Sequence, residues 1–98
     1  MAQYLFKELK PMEIVLLEIL NLADTRKSNF SKFDFCRKYN ITSRTLQDYI
    51  RNLKRLGFIT TKASKIYVEY YITEDGIATL LSRDVYLSKL EINKHKGL

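Results

Sequence analysis

At 98 residues, 46% hydrophobic and 29% charged, the chain has the length and balance of one globular unit with a single small core. Its longest mainly apolar run, Met12 to Leu22, is broken by Glu13, Glu18 and Asn21 and is too short to span a bilayer, which excludes a membrane segment. The net charge of +6 is concentrated in the middle of the chain. Between Arg26 and Lys65 stand eleven basic residues against Asp34 and Asp48, a balance of +9, whereas the remainder carries −3. A cationic middle between acidic ends is what a polyanion-facing surface requires; the alternative is a solvated basic face with no partner.

The start, MAQYLFKELK, lacks the cationic, apolar and small-residue regions of a secretory signal, so a cytoplasmic location is expected. Pro11 suits the first turn of a helix, and MEIVLLEILNLA carries apolar residues on nearly every side, predicting a helix over about 11–23 that is buried from more than one direction. Its coverage is expected from the core on one side and from a partner subunit or Tyr4, Leu5, Phe6 and Leu9 on the other. DTRKSNF reads as a polar turn, with Phe30 a candidate for a short strand. Ser31 then offers an N-cap with Asp34 three residues later, a variant of the capping box, and opens a helix from Lys32 to about Tyr39. Cys36, the only cysteine, lies among Phe33, Phe35 and Tyr39 and reads as a buried small hydrophobe. With His95 as the only histidine, read as a solvated residue near the end of the chain, neither an internal disulfide nor a conventional protein metal site built from Cys36 and His95 alone can form. No metal and no cofactor are expected.

The break at Tyr39-Asn40-Ile41 turns on asparagine, which tolerates the left-handed conformation that ends a helix. Thr42 or Ser43 can cap the next helix at once. From Ser43 the apolar positions Leu46, Tyr49, Ile50, Leu53 and Leu56 follow the spacing of one helical face. At a step of about 100° per residue, Arg44, Asp48, Arg51 and Arg55 fall opposite them, with Gln47 and Lys54 to one side. Gly57 reads as the C′ glycine of this helix, over about 43–56. FITTK, an Ala63-Ser64 turn and KIYVEYYI read as a hairpin over about 58–72. Ile66, Val68, Tyr70 and Ile72 fall on one face of its second strand, with Tyr67, Glu69 and Tyr71 on the other. Lys62 and Lys65 stand beside its tip. Thr73 caps a last helix, over about 74–92, with Glu74 and Asp75 in its first turn and Ile77, Leu80 and Leu81 beginning its apolar stripe. Beyond Asp84 that stripe drifts through Val85, Tyr86, Leu87, Leu90 and Ile92. This surplus, with that of Met12 to Leu22, predicts a homodimer through the terminal helices.

In this order of elements, FCRKYNITSRTL resembles the helix-turn-helix core of bacterial and archaeal regulators, in which a Gly or Asn followed by an apolar residue separates two helices. LQDYIRNLKRLGFIT resembles the second half of their recognition helix running into a wing strand. YYITEDGIATL is similar to the segment after the wing in the MarR and PadR groups, where a Thr-Glu-x-Gly element opens the final helix. The resemblance covers Ser31 to Leu81, and the compact design also resembles small winged-helix proteins of archaea and their viruses, for which the location would be host cytoplasm. It implies an α+β, mainly α, winged helix-turn-helix: a three-helix core, a two-stranded β wing and a C-terminal helix, in one domain over 1–98.

The resemblance also implies that the helix beginning at Thr42 or Ser43 enters the major groove of double-stranded DNA. Near its start Ser43, Arg44, Gln47, Asp48 and Arg51 would face the groove. Arginine bonds bidentately to guanine and glutamine to adenine, while Ser43 and Thr45 suit a phosphate or a base edge. Lys54, Arg55, Lys62 and Lys65 are expected on phosphates. Asp48 is assigned the ordering of Arg44 and Arg51 in preference to a cytosine contact. The expected function is that of a homodimeric, nucleoid-associated transcription regulator, its two recognition helices about one turn of DNA, roughly 34 Å, apart. The rivals are a winged helix used for protein contact, which need not be basic on its third helix, and a nucleic-acid-binding factor with a replicative or architectural role. An enzyme is not expected: no Gly-rich phosphate loop, no histidine beside a nucleophile and no carboxylate pair with a partner base is present.

Overall fold

A computed structural model of the chain describes residues 8–63, 65, 66 and 68–96. Four helices and one two-stranded sheet follow in the order α1 (Pro11–Arg26), α2 (Lys32–Tyr39), α3 (Ser43–Arg55), β1 (Ile59–Ala63), β2 (Val68–Ile72) and α4 (Glu74–Lys96). This is the expected mainly helical winged helix-turn-helix order. Tyr4, Leu5, Phe6, Ser64 and Tyr67 lie outside the described residues, as do the side chains of Val85, Tyr86, Leu90, Ile92 and His95.

Pro11 opens α1, where its missing N–H would have had no helical partner. Asp24, Thr25 and Arg26, expected in a polar turn, instead complete this helix, and Lys27 ends it in the left-handed conformation at φ 54°. Polar composition marks exposure, and an exposed last turn can stay helical when its carbonyls are capped, here by the Lys27 N–H. Leu16, Leu17 and Leu20 form the buried face of α1, while Met12, Ile14, Val15 and Ile19 pack half-buried around the same core. Removing such a leucine from water stabilises by about 1.5–3 kcal/mol. The all-round apolar character of α1 therefore has its cause largely within the chain, in the helices and β2 that pack on it. Phe30 lies in no strand. Its ring instead meets Phe35 and Tyr70 edge-on, at centroid distances of 5.9 and 6.2 Å.

Ser31 caps α2 by accepting from the Asp34 N–H at 3.2 Å, and the Asp34 carboxylate lies 3.7 Å from Arg37. Phe35 is the buried residue of this short helix, and Cys36 packs half-buried beside it. Phe33, by contrast, is 70% exposed, with the Arg37 guanidinium over its ring.

The hairpin is shorter on its second side than expected. Ile59 pairs with Ile72 and Ala63 with Val68, so β1 ends at Ala63 and β2 begins three residues after Lys65. The inward face fades along the strand: Ile72 is buried at 8% exposure, Tyr70 is half-buried, and Val68 and Ile66 are 46% and 89% exposed. Alternation places these residues on one side, but α1 and Phe30 cover only the end of the hairpin nearest the core.

The junction of wing and α4 explains the Thr-Glu-Asp-Gly element. Thr73 accepts from the Gly76 N–H at 3.1 Å and donates its hydroxyl to the Gly57 carbonyl at 2.6 Å, while its own N–H donates to the Phe58 carbonyl at 3.0 Å. One residue thus caps α4 and ties it to the end of α3. Gly76 is required by space: a Cβ there would stand 2.3 Å from the Phe58 carbonyl oxygen. Gly57 is required by conformation, at φ +81° with open space around it.

Candidate nucleic-acid interface

The turn between α2 and α3 consists of three residues with separate tasks. Asn40 adopts φ 52°, ψ 51° and ends α2, and the Ile41 N–H returns to the Cys36 carbonyl at 3.0 Å. Ile41 is half-buried against the core. Thr42, one of the two expected caps, is the one used: it accepts from the Thr45 N–H at 3.1 Å and donates its hydroxyl to Thr45 Oγ1 at 2.9 Å. Ser43 is exposed as the first helical residue, whereas Thr45 is half-buried with its hydroxyl turned to the cap.

Helix α3 divides cleanly. Leu46, Ile50 and Leu53 are between 0 and 3% exposed, and Tyr49 and Leu56 flank them half-buried. Arg44, Gln47, Asp48, Arg51, Lys54 and Arg55 are all exposed. Asp48 pairs with Arg51 at 3.1 Å, while Arg44 has no ion-pair partner among the described residues. The ordering expected of Asp48 thus reaches only one of the two arginines. A pair this exposed holds its geometry weakly, and Arg51 can exchange the carboxylate for another anion.

Two basic residues at the end of α3 have local partners that periodicity does not reveal. The Lys54 ammonium donates to the Thr61 hydroxyl at 3.3 Å, joining the helix to β1. Arg55 donates to the Asn52 carbonyl oxygen at 2.6 Å. Asn52 in turn donates its amide to Glu13 Oε2 at 2.8 Å, across 39 residues of chain, and Glu13 Oε1 accepts from the Lys10 N–H at 2.8 Å. Glu13 is 2% exposed. Sequence alone marks it as a polar interruption in an apolar helix, and its place in the first turn beside a helix N-terminus is the only signal of its role.

Lys62 and Lys65 on the wing are exposed. Lys62 stands opposite Glu69 in the strand register, and the Tyr71 hydroxyl donates to the same Glu69 carboxylate. The expected basic residues are therefore brought together on α3, with two lysines on the neighbouring hairpin. None of the described side chains forms a cluster able to hold a metal ion, and no described helix is long and apolar enough to cross a membrane.

Solved structures share this architecture. A mutant of Staphylococcus aureus MepR superposes with a TM-score of 0.80 at 15% identity, over 99% of this chain and 71% of that one. The S. aureus MepR–DNA complex gives 0.69 at 17% identity, over 99% and 70%. The adhesin competence repressor AdcR of Streptococcus pyogenes gives 0.61 at 12%, over 91% and 66%. At these identities the likeness establishes a common winged-helix fold. No curated protein sequence matches the chain. Residues 13–66, more than half of the molecule and including α2, its turn and α3, match the helix-turn-helix domain of the M protein trans-acting positive regulator (MGA), and the chain belongs to that family of regulator domains, a non-enzymatic class.

Proposed function

We propose that the chain binds specific double-stranded DNA as a homodimeric transcription regulator, with α3 in the major groove. The observation that carries this reading is the outer face of α3. It presents Arg44, Gln47 and Arg51 together, on a helix whose other face is held by Leu46, Ile50 and Leu53. Arginine and glutamine are the side chains whose paired donors and acceptors match guanine and adenine edges. Ser43 stands beside them at the helix start, and Asp48 orders Arg51 when no base is present. Lys54, Arg55, Lys62 and Lys65 supply phosphate contacts, which set register and affinity. Thr42 acts chiefly by capping α3, and Thr45 by supporting that cap.

Dimerisation is proposed through the terminal helices, in one domain spanning 1–98. Leu22 on α1 and Leu81 and Leu87 on α4 are 46, 60 and 39% exposed. Covering such residues in a second copy removes apolar area that a small domain cannot cover alone. A site with a twofold axis inside the cell, in nucleoid or host cytoplasm, follows from this reading.

Selection of bound duplexes from a random pool tests it. A consensus with a twofold axis supports the regulator, salt-sensitive binding without consensus favours an architectural factor, and absence of binding favours a protein-contact module. On the winning duplex, Arg44→Ala should reduce discrimination against random DNA by about 1–3 kcal/mol. Equal discrimination by variant and parent in a binding titration would remove Arg44 from base recognition.

A further inference from the structure

We infer that Glu13, buried in α1, is a positioning residue for the phosphate contact of Arg55 on α3. The link is a directional relay of hydrogen bonds. The Lys10 N–H and the Asn52 amide donate to the two oxygens of the Glu13 carboxylate, each at 2.8 Å. With its NH₂ turned inward, Asn52 must present its carbonyl oxygen outward, and that oxygen accepts from the Arg55 guanidinium at 2.6 Å.

Chemistry fixes the direction. A carboxylate only accepts, so it admits one orientation of the Asn52 amide, the one that offers Arg55 an acceptor. Glu13 is 2% exposed, which leaves water little access to its carboxylate. The relay therefore joins the interior of the domain to a cation on its surface, and it fixes the position of α3 on α1 at the same point. Arginine freed from such an anchor spreads over many rotamers and meets the phosphate for only part of the time, so its share of counterion release falls. Lys54, held instead by Thr61 on β1, does not depend on Glu13.

Glu13→Gln distinguishes positioning from packing, because it preserves volume while it replaces one acceptor by a donor and removes the carboxylate charge, a loss of charge that Asn52→Ala does not share. The Lys10 N–H belongs to the backbone and cannot turn round, so it retains the amide oxygen of the glutamine. The glutamine NH₂ then faces Asn52, which must flip to accept from it, and the flipped Asn52 presents NH₂ to the Arg55 guanidinium. Arg55 loses its acceptor while the core keeps its shape.

Arg55 is a phosphate contact only on the DNA-binding reading above, so Arg55→Ala is measured first, on the duplex recovered by selection. It should flatten the plot of log affinity against log salt by about one unit, the signature of one lost phosphate contact. Glu13→Gln should give about half of that flattening or more, and the double variant should match Arg55→Ala alone. Asn52→Ala, which removes the relay at its middle, should behave as Glu13→Gln does and serves in its place if the glutamine variant does not fold. Melting curves confirm that each variant is folded at the titration temperature. A parental salt slope in both relay variants, or a double variant whose losses multiply, overturns the inference while leaving DNA binding intact. A parental slope in Arg55→Ala removes the contact itself and the inference with it, and absence of any DNA binding defeats the broader reading.

Discussion

Helix α3 and strand β2 both carry a regular apolar repeat, and they keep it differently. Along α3 the repeat is buried through Leu46, Ile50 and Leu53, at 3% exposure or less. Along β2 and the approach to it, exposure rises from 8% at Ile72 to 46% at Val68 and 89% at Ile66. Periodicity states which side chains share a face; coverage depends on what another part of the chain lays against that face. For α3 the cover is α1 and α2. For the hairpin, α1 packs on β2 and the Phe30 ring meets Tyr70, and exposure climbs beyond that point toward the tip.

Breaking the covered repeat should have the largest effect. Leu53 is 0% exposed, and Leu53→Ala should lower unfolding free energy by about 2–5 kcal/mol, read as a fall in denaturant midpoint without change in slope. The joint between the two regions comes next. Gly76→Ala places a methyl group against the backbone carbonyl of Phe58, which no rotamer change relieves, and should cost about 1–3 kcal/mol. Because the same joint carries the Thr73 bonds to Gly57 and Phe58, amide exchange should rise at the base of the wing before it rises in α3. Uniform exchange across both would show that α4 does not anchor the wing. Smallest of all should be Ile66→Ser at the uncovered end, within about 0.5 kcal/mol of the parent in chemical denaturation. A loss of several times that amount would mean that the tip is covered in solution and that the contrast between strand and helix is false.

The helix-turn-helix was legible because its signals are local. A left-handed Asn40, a hydroxyl cap and a stripe repeating at helical spacing act within a few residues of one another, so their chemistry is visible in their order. The exposed set of Arg44, Gln47, Asp48, Arg51 and Arg55 followed by subtraction, since a helix with one apolar face must present the other to solvent. What was not legible is nonlocal or depends on cover. A strand at Phe30 fits the residue's propensity, yet the ring is held by Phe35 and Tyr70 from two other elements. The last turn of α1 reads as loop from its polarity, whereas the Lys27 backbone caps it. Lys54 looks like its basic neighbours until Thr61 is found beside it.

Sequence by itself determined the succession of elements, the cationic middle of the chain and the residues that α3 turns outward, because helical spacing, capping and charge are properties of neighbours. Tertiary structure alone decided that Glu13 lies beneath Asn52, that Gly76 must lie against the Phe58 carbonyl, and that the apolar face of the wing ends in solvent. Each of these depends on a distance between segments remote in the chain, and no local propensity encodes where a distant surface will come to rest.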